Sequence, residues 1–192
     1  IPCCANLDLF DKSKITEETK LEDRKTLGIN PDDFVLGYVG SIGTWYMLPE
    51  MLDYFKELKE AKPNSKFLFV SGEEPNKIIA AASEKGIDKD HIKVISVLHH
   101  EVPRFISLMD ASIFFIKPSY SKKASSPTKQ GEIMAMGIPL ICNAHVGDTD
   151  LIVNKYESGI VIDTFDKETF KNTIIDPQDF DSNKISEGAE DY

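Results

Sequence analysis

Apolar residues fall into short, near-continuous runs separated by stretches in which they recur every three or four positions. The runs are F-V-L-G-Y-V (34–39), K-F-L-F-V-S (66–71), H-I-K-V-I-S-V (91–97), A-S-I-F-F-I (111–116), I-P-L-I-C-N (138–143) and G-I-V-I-D (159–163). Short runs rich in β-branched and aromatic residues and apolar at successive positions predict strands buried on both faces. Between them, Met51, Leu52, Phe55 and Leu58 mark a helix over 48–61, and Ile78, Ile79 and Ala82 mark one over 75–86. Further helices are predicted at 101–110, 127–137, 149–156 and 166–175, and a short one within 13–28 that stops at Gly28. Residues 1–12 read as an extended lead-in, N-P-D-D at 30–33 as a turn, and the segment from 176 as polar and low in core residues.

Strand and helix alternate throughout, which predicts right-handed crossovers. The expected fold class is α/β: a Rossmann-like parallel sheet of about six strands with helices on both faces. The expected organisation is a lead-in with a short helix over 1–30, the Rossmann-like unit over 31–175, and a polar C-terminal tail over 176–192. Ligands on such sheets bind at the carboxyl ends of the strands. The polar or glycine-rich stretches 40–44, 72–74, 96–100, 117–129 and 143–148 all fall there, on one rim.

Composition narrows the picture. A formal net charge of -10 argues against broad nucleic-acid binding. Cys3, Cys4 and Cys142 are an odd set without framework spacing, which points to a reducing, cytoplasmic compartment. No apolar run reaches the roughly 18 residues of a membrane helix. The chain opens on Ile-Pro and ends in a charged segment, so both ends read as cuts in a longer protein.

The candidate chemistry centres on S-S-P-T-K-Q-G-E-I-M-A-M-G-I-P (125–139). Pro127 suits a first helical position, Ser125 or Ser126 can cap it, and Gly137 can end it. A helix start with unpaired N–H groups beside Ser126, Pro127, Thr128 and Lys129 is an anion site. Glu132, three residues on, shares that face and can accept from two vicinal hydroxyls, although by pattern alone stabilisation of the helix dipole is the better account. Gly40, Ser41, Gly43 and Thr44 follow a buried strand and can bring backbone N–H groups to a phosphate or sugar; a tight βα turn is the other reading. Lys117 sits at a strand end, whereas Lys122 and Lys123 read as solvated loop. Asp148 and Asp150 read first as helix caps. One of Trp45 and Tyr46 is expected at a pocket edge, and His145 lies on the same rim. The four histidines and Cys142 have no metal-ligand spacing, so no metal is expected. No catalytic base is assignable.

In order, I-P-C-C-A-N-L-D-L-F, V-L-G-Y-V-G-S-I-G, F-V-S-G-E-E-P, E-V-P-R-F-I-S-L-M-D-A-S-I-F-F-I-K-P-S and S-P-T-K-Q-G-E-I-M-A-M-G-I-P-L-I-C-N resemble the C-terminal half of GT-B glycosyltransferases, of the retaining group 1 (family 4) type. The resemblance runs over nearly all of 1–165. It implies a domain that binds a nucleotide diphosphate sugar, as substrate and without a cofactor, for transfer to an acceptor in polysaccharide or glycan synthesis. Glu132 matches the glutamate on the donor ribose, and Lys129 with the backbone of 126–128 the diphosphate contact. The 40–43 turn would face phosphates or acceptor, and the backbone of Ser96, Val97 and Leu98 the base. It further implies an N-terminal domain supplying the acceptor site, and a full-length protein that associates with the inner face of a membrane. The sequence departs from the family at Ala124, where a glutamate often stands eight positions before Glu132, and at Thr44, Trp45 and Tyr46, where many members carry Arg or Lys. A GT-B sugar-nucleotide epimerase, and a nucleotide- or partner-binding α/β domain without chemistry, stay open as alternatives.

Overall fold

A computed structural model describes residues 4–190; the readings that rest on Pro2 and Cys3 lie outside the described residues. Six strands, β1 (Val35–Val39), β2 (Lys66–Val70), β3 (Ile92–Ile95), β4 (Ala111–Phe114), β5 (Leu140–Asn143) and β6 (Gly159–Ile162), pair in parallel in the order β3-β2-β1-β4-β5-β6. The helices are α1 (Glu17–Thr26), α2 (Leu48–Ala61), α3 (Pro75–Glu84), α4 (Val102–Ile106), α5 (Thr128–Ala135), α6 (Thr149–Lys155), α7 (Lys167–Asn172) and α8 (Ser182–Glu190). Every residue of β1, β4 and β5 is buried, which requires cover on both faces of the sheet.

The elements come out shorter than the sequence pattern, mostly at their ends. The third run forms a strand only to Ile95, so Ser96, Val97 and Leu98 lie on the loop beyond it. The short helix within 101–110 stops at Ile106, and the loop after β4 holds a 3-10 turn at Tyr120–Ala124. Strand order turns back between β1 and β4, so the connections leaving these two neighbours diverge. The core gathers around them: Tyr38, Tyr54, Phe55, Phe67, Phe69, Phe114, Phe115 and Phe170 are fully buried. Gly37 in mid-β1 leaves room for Met109, whose sulfur would stand 1.9 Å from a Cβ placed there.

The segment from 176 is the main departure from the sequence reading. It contains α8, which packs on α5 and buries Ile185 and Ala189. The polar majority of S-N-K-I-S-E-G-A-E faces solvent, while Ile185, Gly188 and Ala189, at helical spacing, face inward. Gly188 admits the close approach: a Cβ there would lie 2.6 Å from the Tyr156 ring and 2.9 Å from Met134 Cε. Gly137, at φ +70 just past the end of α5, leaves no space for a Cβ beside Ser182 Oγ, 2.1 Å away. Lys12 Nζ reaches the same corner, donating to Ser182 O at 3.1 Å and Asn183 Oδ1 at 2.8 Å. The lead-in, the end of α5 and the start of α8 therefore form one knot.

Truncating Ile185 to Ala is expected to cost about 2–4 kcal/mol by loss of buried methyl and methylene groups. Leu151→Ala, on the exposed side of α6, is expected to stay within about 0.5 kcal/mol. Urea denaturation of the two variants separates a docked helix from a loose tail.

Candidate functional site

The site grows from the crevice between β1 and β4. Three devices fix its walls. First, Asn143 at the end of β5 is buried and clamps the main chain leaving β4: its Oδ1 accepts from Ile116 N at 2.8 Å, and its Nδ2 donates to Ile116 O at 3.0 Å. Second, the chain beyond the 40–44 turn runs back antiparallel to that exit. Tyr46 bridges Ile116, Met47 N donates to Phe115 O at 2.9 Å, and Lys117 N donates to Trp45 O at 2.8 Å. Third, Gly147 takes a left-handed φ of +54 against the backbone of Ser125, whose oxygen would be 1.7 Å from a Cβ. The loop leading to α5 is thus held through its main chain.

Helix α5 begins at Thr128, with Pro127 in the capping position, one residue later than the sequence suggested. Pro127 has no side-chain oxygen to cap with, and neither Ser125 nor Ser126 takes that position. The start is braced instead by Gln130, fully buried, whose Nε2 donates to Thr149 O at 3.2 Å across to α6. Asp148 does stand at the N-cap of α6 but makes no side-chain cap bond, while Asp150 accepts from Leu151 N at 3.0 Å and His145 N at 3.4 Å.

Lys129 leaves the first turn of α5 and runs under the 40–44 turn. Its Nζ donates to Tyr38 Oη at 3.1 Å and sits 4.3 Å from the Tyr38 ring centroid and 3.7 Å from that of Tyr46. Gly40, at φ +99, lies alongside: a Cβ there would stand 3.3 Å from the ammonium. The residue as a whole is half-buried, with its ammonium against the two tyrosine rings. Burial pulls the ammonium pKa down to about 7, against the pull of the Glu132 carboxylate in the other direction. Burial pushes the Tyr38 hydroxyl up, so it stays protonated and donates to Ser41 O at 2.8 Å. Of the two aromatics considered for a pocket edge, Tyr46 stands at the lysine; Trp45 is exposed, with Lys122 Nζ 4.5 Å over its ring. Lys122 is therefore not a wholly solvated side chain.

One turn on, Glu132 opens into a cavity of about 280 Å³ lined by Gly40, Ser41, Gly72, Val97, His99 and Glu132, among others. Its carboxylate lies 3.3 Å from His99 Nε2, and the His99 ring meets Phe10 edge-on at 5.7 Å. His99 is the residue that sequence reasoning passed over: H-H in a loop reads as surface, and nothing local tells that α5 approaches from 33 residues away. Of the residues singled out from the sequence, Gly40, Ser41, Val97, Lys129 and Glu132 come together. Ser41 Oγ donates to Glu73 Oε1 at 2.9 Å. Gly43 and Thr44 turn to a neighbouring cavity with Ile42, Glu73 and Lys77. Lys117, Thr128, Ser96 and Leu98 are exposed on the surrounding loops and rim, as is His145 at a left-handed φ of 68. Among the described residues no group of three His, Cys, Asp or Glu could hold a metal ion, and no helix is long and apolar enough to cross a membrane.

Chemically, the crevice offers a buried cation next to a helix start, and a carboxylate one turn away over an open cavity. Residues 19–177 match the family described as Glycosyl transferases group 1. A putative teichuronic acid biosynthesis glycosyltransferase, TuaC of Bacillus subtilis (strain 168), is 31% identical over 141 residues, 73% of this chain and 32% of that protein. The chain thus spans about a third of the length of this curated relative. Among solved structures, WaaG, a glycosyltransferase involved in lipopolysaccharide biosynthesis, superposes with a TM-score of 0.73 at 19% identity, over 99% of this chain and 49% of that one. Anabaena Alr3699/HepE, solved in complex with UDP-glucose, gives 0.72 at 16% identity, over 97% and 50%.

Replacing Asn143 with Ala is expected to leave the buried N–H and C=O of Ile116 without their partner, at roughly 2–4 kcal/mol. Amide exchange should then rise along 116–126 more than in β2 and β3.

Proposed function

The chain belongs to the group 1 glycosyl transferases, and from that premise we propose that it is the donor-holding half of such an enzyme, binding a nucleotide diphosphate sugar at the β1–β4 crevice. The observation that carries the reading is the placement of Lys129 and Glu132 on one face of α5, against the Gly40 turn and the cavity beyond it. A diphosphate at the start of α5 meets the Lys129 ammonium and the first-turn N–H groups. Glu132 accepts from the ribose diol, and the loop at 96–98 offers backbone groups to the base. The α5 helix is eight residues long, and one turn separates Lys129 from Glu132, a spacing suited to a diphosphate followed by a ribose.

In transfer with retention, charge develops on the departing diphosphate, and fixed donors in a partly dry crevice stabilise it best. Lys129 and the α5 amides supply that role here. The nucleotide sugar is substrate, and no resident cofactor is invoked. WaaG and HepE are each about twice the size of this chain, which supports a companion N-terminal domain that brings the acceptor. A glycan or polysaccharide acceptor extends the same reading by analogy with TuaC and WaaG, and contact of the whole protein with a membrane face is a further part of the proposal. Nucleotide binding without transfer is a second reading, favoured by Ala124: its methyl is exposed where a donor-sugar carboxylate would otherwise stand.

Calorimetric titration with UDP, GDP and UDP-glucose tests the assignment. At least one nucleoside diphosphate is expected to bind, and Lys129→Ala to weaken it tenfold or more, about 1.4 kcal/mol. Glu132→Gln should weaken a ribonucleotide but leave inorganic pyrophosphate unaffected. Absence of binding by all three at millimolar concentration defeats the proposal.

A further inference from the structure

The surroundings of Lys129 are unusual for a phosphate-binding lysine. A lysine ammonium on its flexible stem is strongly hydrated and keeps its charge at neutral pH unless it is buried. This one is folded back between two tyrosine rings, 3.7 Å and 4.3 Å from their centroids, and bonded to the Tyr38 hydroxyl at 3.1 Å. Gly40 passes beside it, where a Cβ would stand 3.3 Å from the ammonium. We propose that Tyr38 and Tyr46 are positioning residues that keep the Lys129 amine largely dry, so that it takes up a proton from solvent as a diphosphate arrives. The proposal rests on the donor-site reading given above and adds to it a coupling between anion binding and protonation.

Opposing effects decide the state of the amine. Contact with two ring faces favours the charged form. Glu132, on the same helix, favours it too. Loss of water opposes both and prevails, which places the proton's departure near neutrality instead of far above it. The other titratable groups close by do not reverse this. Tyr38, on β1, and Tyr46, before α2, have their hydroxyl pKa values raised by burial and stay neutral. Glu73, from the loop after β2, is engaged by Ser41 Oγ at 2.9 Å. His99, from the loop after β3, is spent on Glu132 at 3.3 Å. A diphosphate placed within a few ångströms brings at least two negative charges into the same dry volume and restores the protonated form. The balance is one proton taken from solvent onto Nζ for each anion bound. Binding is therefore strongest below about pH 7 and weakens as pH rises through and beyond it. The terminal phosphate of UDP loses its second proton at about pH 6, so above neutrality the weakening belongs to the protein.

The experiment is a UDP titration of the full chain between about pH 7 and about pH 9, in two buffers of different ionisation heat. Wild type is expected to lose up to about tenfold in affinity per pH unit and to take up close to one proton per UDP at pH 8. Lys129→Arg, permanently charged, should bind UDP with a flat profile and no proton uptake. Tyr46→Ser, which lets water reach the amine, should push the fall in affinity at least one pH unit higher. A wild-type profile that is flat and releases or takes up no proton overturns the proposal, as does a Tyr46→Ser profile that matches wild type. If UDP does not bind, the same titration is run with GDP, and if neither binds the donor reading fails. The cradle is then judged by NMR titration of the Lys129 side chain in the unliganded chain, where a midpoint near neutrality supports it and one near the ordinary lysine value overturns it.

Discussion

A parallel sheet whose strand order turns back between two neighbours must leave a crevice where their onward connections part. Here the neighbours are β1 and β4, and almost everything of chemical interest follows from how that crevice is walled. Asn143 pins the chain as it leaves β4, the 44–47 segment is laced to the same exit, and α5 starts directly above. None of these features is a ligand contact in itself. Together they decide where a lysine and a glutamate on the first two turns of α5 can point.

Helix α5 is short and owes its stability to what surrounds it. Its two turns are far below the length at which an isolated helix persists in water. It is held by the sheet beneath, by Gln130 bonded to α6, and by α8 packed along its outer side. The helix that bears the charged pair therefore inherits its orientation from elements at both ends of the chain: Lys12 in the lead-in and Ser182 and Gly188 in α8 meet at its far end and flank.

Much of this was legible in the sequence, because the strongest signals are local. Apolar runs at successive positions gave the six strands, the glycine stops gave the helix ends, and S-P-T-K-Q-G-E marked the helix carrying Lys129 and Glu132. What escaped were features that depend on distant partners. Ile185, Gly188 and Ala189 are too few to announce a buried helix until Met134 and Tyr156 are in place to receive them. His99 became a site residue only because α5 delivers Glu132 to it, and Phe10 supports it from the lead-in. The enclosure of Lys129 by Tyr38 and Tyr46 joins α5 to a tyrosine 91 positions earlier, which a reading of the G-x-x-G spacing as a phosphate turn did not anticipate.

The loop between β4 and α5 is anchored through its backbone: Ile116 by an amide side chain on its main-chain groups, Ser125 by its carbonyl seated against Gly147. Such an attachment is blind to the identity of the side chains in between. Lys117 to Ala124 can therefore be exchanged over evolutionary time, altering what is presented beside the crevice, while the start of α5 stays where it is. A change of side chain in this loop thus alters the border of the crevice without shifting the helix that carries Lys129 and Glu132.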